Sequence, residues 1–60
     1  MSGDFDVDAM ARELIGQHGP FAPREAEQRA QRMQTRGDKY GTAHWLRIKK
    51  AAEKLLAADR

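Results

Sequence analysis

Two glycine breaks govern what this chain can fold into. In His18-Gly19-Pro20-Phe21-Ala22-Pro23 a glycine is followed at once by proline, and in Arg36-Gly37-Asp38 by aspartate. Glycine ends a helix readily because, lacking a Cβ, it enters the left-handed backbone region without a clash. Proline just beyond cannot continue the helix, whereas aspartate can start the next one by accepting a free backbone N–H. The breaks predict three helices, near 6–18, 23–36 and 39–58.

The stretches between the breaks carry helical periodicity. Val7, Met10, Ala11, Leu14, Ile15 and His18 fall at offsets 0, 3, 4, 7, 8 and 11, which is one stripe of a helix. Asp4 or Asp6 is placed to cap it, where negative charge meets the positive end of the helix dipole. Pro23 suits the first position of the second helix, whose apolar face is thin: Ala26, Ala30 and Met33. Residues this small let another helix approach closely. The third stripe is Trp45, Ile48, Ala52, Leu55 and Leu56, with Tyr40 and Gly41 one turn earlier, and Gly41 marks a close helix–helix approach. Nothing alternates with period two over a useful length, and β-branched residues are scarce. The expected fold is all-α: a compact three-helix single domain over 6–60, behind a flexible acidic N-terminus at 1–5. Trp45, the largest side chain, is expected at the centre of the core. Ile48, Leu55, Leu14 and Met10 surround it, and the loop before helix two supplies Phe21.

A 60-residue chain buries only ~60 % of the surface its unfolded form exposes, which leaves little room for a deep, dry pocket. The absence of cysteine excludes a disulfide framework and a cysteine-based zinc site. No apolar run approaches the ~20 residues of a membrane span. The acidic start is unlike the basic start of a secretory signal. Together these predict a soluble, cytoplasmic module without membrane contact.

His18-Gly19, Ala22, Ala26, Arg29-Ala30, Gly37-Asp38, Gly41, Trp45, Arg47-Ile48, Ala52 and Leu55 form a pattern across residues 12–56. In these positions the chain resembles a group of short uncharacterised bacterial helical proteins, a domain of unknown function. The resemblance implies a small stand-alone helical domain and no particular activity. Each residue in the pattern also has a structural reading. Gly19 and Gly37 are helix stops, Asp38 is a cap, and Trp45, Ile48, Ala52 and Leu55 are core.

Catalytic chemistry finds few candidates. His18 and His44 are the only side chains that titrate near neutral pH when unperturbed. With Asp38 they could make three metal ligands, but no H-E-x-x-H motif and no ligand pair at i, i+4 supports that. For nucleophilic catalysis, Ser2 stands in the terminus, the only threonines are Thr35 and Thr42, and no glycine-rich phosphate loop exists. The expectation is a protein that is not an enzyme, with no catalytic residues, no cofactor and no metal.

Charge offers better signals. Residues 1–20 carry Asp4, Asp6, Asp8 and Glu13 against Arg12, a balance of −3, while residues 21–60 balance at +5. Arg29, Arg32 and Arg36 share one side of helix two. Arg47, Lys50 and Lys54 repeat that spacing on helix three, opposite the Trp45 stripe. Glu25 stands four before Arg29, and Glu53 follows Lys49 and Lys50, so part of this charge is paired internally. Leu46 points away from the Trp45 stripe, and Phe5 and Phe21 are also at risk of exposure. The expected function is non-catalytic protein–protein interaction or regulation, with a homodimer as one form, through Leu46, Arg47, Lys50 and Lys54. The alternative is weak nucleic-acid binding through Arg29, Arg32, Arg36, Arg47, Lys50 and Lys54.

Overall fold

The computed structural model describes residues 3–58, with side chains from residue 7 onward. Helix α1 runs Gly3–His18, α2 runs Ala22–Arg36 and α3 runs Lys39–Ala58; a single 3-10 turn, Gly19–Phe21, joins α1 to α2. No strand occurs among the described residues, and the chain is all-α. None of these helices is long and apolar enough to cross a membrane.

Helix α1 begins at Gly3, three residues before the expected start. Asp4 and Asp6 therefore stand inside the helix and not ahead of it, and their side chains lie outside the described ones. Of the tail expected at 1–5, Gly3, Asp4 and Phe5 are helical, and Met1 and Ser2 lie outside the described residues. The exposure expected of Phe5 also lies outside the described side chains.

Both glycine breaks fall where the sequence places them. Gly19 has φ +60° and Gly37 φ +81°, the left-handed region. At the second break, the Gly37 N–H donates to the Gln34 carbonyl at 3.0 Å and the Asp38 N–H to the Met33 carbonyl at 2.9 Å. This pair of bonds satisfies carbonyls that the end of α2 would otherwise leave open. Asp38 then starts α3. Its Oδ1 accepts from the Gly41 N–H at 2.8 Å, and its carbonyl accepts from the Thr42 N–H at 3.0 Å and the Thr42 hydroxyl at 2.8 Å. Replacing Asp38 by alanine removes only the side-chain bond and is expected to lower the unfolding free energy by about 1 kcal/mol, read by urea titration. The crowding expected at Gly41 comes from this cap and from a side chain of α2. A Cβ there would fall 2.6 Å from Asp38 Oδ2 and 3.0 Å from Met33 Cγ.

The core differs from the expectation at its centre. Ala11, Leu14, Ala22, Ala26, Ala30, Ile48 and Ala52 are buried, and of these only Leu14 and Ile48 are large. Ala22, Ala26 and Ala30 recur every four residues and turn one face of α2 into a smooth seam. The most extensive helix interface, between α2 and α3, forms on it. Side chains this small let the two helices approach closely. Ile48 fills the middle, and Trp45 is displaced to the margin, half-buried and packed against the core. At the margin its indole N–H keeps access to water. Met10 and Leu55, also expected as core, are likewise only partly buried beside it. Phe21 is 65 % exposed, because the 3-10 turn swings it outward while the next residue, Ala22, takes the buried place.

Candidate interaction surface

Helix α3 has two sides of opposite character. Ile48 and Ala52 are fully buried on the inner side. On the outer side Tyr40, Ala43, Arg47, Lys50 and Lys54 are all exposed. Their offsets of 0, 3, 7, 10 and 14 keep them in one band along the helix. Leu46 lies at the edge of that band and is 46 % exposed, facing outward as its helical phase predicts. It borders an open groove with Gln34, Thr42 and Ala43 at the α2–α3 turn. Arg47 shares a second groove with Tyr40 and His44.

The cations of the molecule divide into bound and unbound. Arg29 donates from Nε to Glu25 Oε2 at 2.9 Å, one turn earlier on α2. Its guanidinium carbon also stands 4.9 Å from the centre of the Trp45 ring, a cation–π contact across the α2–α3 seam. Lys49 reaches Glu27 of α2 at 3.3 Å, a partner other than the Glu53 beside it in sequence. Among the described residues no ion pair within 4.0 Å involves Arg32, Arg36, Arg47, Lys50 or Lys54. Arg32 and Arg36 are exposed on α2. The α3 row faces away from Ile48 and Ala52, and so away from α2. Arg29, the α2 arginine that reaches α3, is held on Trp45 and Glu25.

His18 is half-buried at the end of α1, and His44 is exposed with its ring edge-on to Trp45 at 6.1 Å between centroids. The structure does not gather them with Asp38. Among the described residues no group of three or more histidine, aspartate or glutamate side chains comes together, and no polar or charged side chain is buried. The Asp38 carboxylate is engaged at the start of α3.

Two features of this surface escaped the sequence reading. Tyr40 is 92 % exposed and belongs to the outer band, not to the Trp45 stripe. The phase was available: five residues before Trp45 is more than a third of a turn away from it. The Arg29–Trp45 contact joins two helices, and no spacing along the chain announces it. In comparisons with family models, curated proteins and solved structures, the chain matches none.

Proposed function

We propose that the chain is a compact three-helix domain that works as a non-catalytic protein-binding or regulatory module, through the outer face of α3. Leu46, Arg47, Lys50 and Lys54 are the contact residues. The observation that carries this reading is the exposure of Leu46 beside three cations that have no ion-pair partner among the described residues. A half-exposed leucine next to unpaired charge offers another protein both apolar area and electrostatic recognition. The resemblance to short bacterial helical proteins agrees with a small helical module.

Nucleic-acid binding through Arg29, Arg32, Arg36, Arg47, Lys50 and Lys54 is the weaker reading. Arg29 is held on Trp45 and Glu25, and the α3 row faces away from α2. Affinity capture from a bacterial lysate tests the first reading. The native protein should retain a specific protein, or sediment above the mass of one chain if that partner is a second copy. A variant with serine at Leu46, Arg47, Lys50 and Lys54 should lose the contact and keep its helix content. Equal capture by both proteins, or capture of nothing by a strict monomer, rules the reading out.

A further inference from the structure

We infer that the partner of this face is an acidic amphipathic helix of another protein. The inference rests on the binding-module reading and names the chemistry of its partner. Tyr40, Ala43, Arg47, Lys50 and Lys54 follow the alternating three- and four-residue spacing that keeps two helices in contact along their length. At 1.5 Å per residue the band is about 21 Å long, enough for two heptads of a partner. Its chemistry is graded. Tyr40, Ala43 and Leu46 give the first half its apolar area, with the cation Lys39 at its start, and Arg47, Lys50 and Lys54 make the second half basic. A matching helix carries apolar residues at one end and carboxylates at the other.

The charge on this face has no internal use among the described residues. Glu25 and Glu27 are occupied by Arg29 and Lys49. Asp8 of α1 and Glu53 border the same groove as Lys50 and Lys54, yet neither closes an ion pair with them. A second copy is a poor occupant: with α3 parallel to α3 the two rows of cations meet, with α3 antiparallel each row meets the apolar half of the other, and in neither pairing does a carboxylate answer the cations. Nucleic acid is a poorer occupant, because Tyr40, Ala43 and Leu46 offer phosphates nothing and leave Lys39 as the one cation beside them. Carboxylates at helical spacing answer the basic half, and leucines answer the apolar half.

The test uses a synthetic peptide two to three heptads long. It has leucines to meet Tyr40, Ala43 and Leu46, and glutamates to meet Arg47, Lys50 and Lys54. A scrambled peptide of the same composition is the control, and calorimetry reads both. The patterned peptide should bind and the scrambled one should not. Raising salt from about 25 to about 250 mM should weaken binding roughly tenfold, since exposed charges carry half of the contact. Lys50→Glu with Lys54→Glu should weaken it by at least about tenfold. Leu46→Ser should weaken it roughly fivefold, the effect of losing a half-buried leucine. Arg47→Gln, neutral and compatible with a helix, gives the same reading if the double exchange disturbs the fold.

Equal binding of the scrambled peptide overturns the inference. So does tighter binding of a DNA duplex at the same salt, or a dimer of this chain that Leu46→Ser dissolves. A natural partner that needs Leu46 but ignores the charge reversal overturns the acidic class and leaves the binding-module reading standing. A partner indifferent to the whole face overturns both.

Discussion

Ile48→Ala is expected to remove about 2–5 kcal/mol of stability, the range for truncating a large buried aliphatic side chain. Ile48 is fully buried and, among the described residues, shares that position with one other large side chain, Leu14. Its neighbours in the core include Ala22, Ala26 and Ala52, which have no side chain long enough to move into the space. A single core in a chain this short rarely supplies more than about 3–5 kcal/mol in total. The variant should therefore be largely unfolded at room temperature, with its helical circular dichroism lost and no cooperative melt. Trp45→Ala should cost less, because the indole is only partly buried at the margin of the core and one of its faces is covered by Arg29. If the two variants rank the other way, the ring and not the isoleucine is the centre of the core.

Ala26→Leu is expected to destabilise by about 1–3 kcal/mol, although leucine is more apolar and nearly as good a helix former. Ala26 is fully buried in the seam against α3, and the added branch has no free volume to enter. The helices must separate, and that shifts Arg29 relative to Trp45. The denaturation midpoint should fall, and the emission of Trp45 should change in the folded state. A stability equal to or above that of the native protein would mean that α2 and α3 are not in close contact at this position.

The parts of this fold that depend on local chemistry are legible in the sequence. Gly19 and Gly37 end helices because of what glycine lacks. Asp38 caps α3 because its carboxylate is one residue from the break and three from an unpaired N–H. Leu46 faces outward because its phase differs from that of Ile48. What is not legible depends on the gap between helices. The alanines of α2 are plain in the sequence, and so is the bulk of Trp45. That Ile48 and not Trp45 is fully buried with those alanines appears only when both helices are placed. The same holds for the stack of Arg29 on Trp45, which withdraws one arginine from the basic surface.

Helix α3 thus has one side that holds the molecule together and one that does not take part. The melting temperature of the Arg47→Ser, Lys50→Ser, Lys54→Ser variant tests this division most directly. The cooperative melt should persist with its midpoint lowered by no more than about 10 °C, as each surface change away from packing or caps usually shifts stability by no more than about 0.5 kcal/mol and about 1 kcal/mol moves the midpoint of a domain this small by about 4–8 °C. A loss of the cooperative melt like that expected for Ile48→Ala would show that the outer row is part of the scaffold, and would contradict the account.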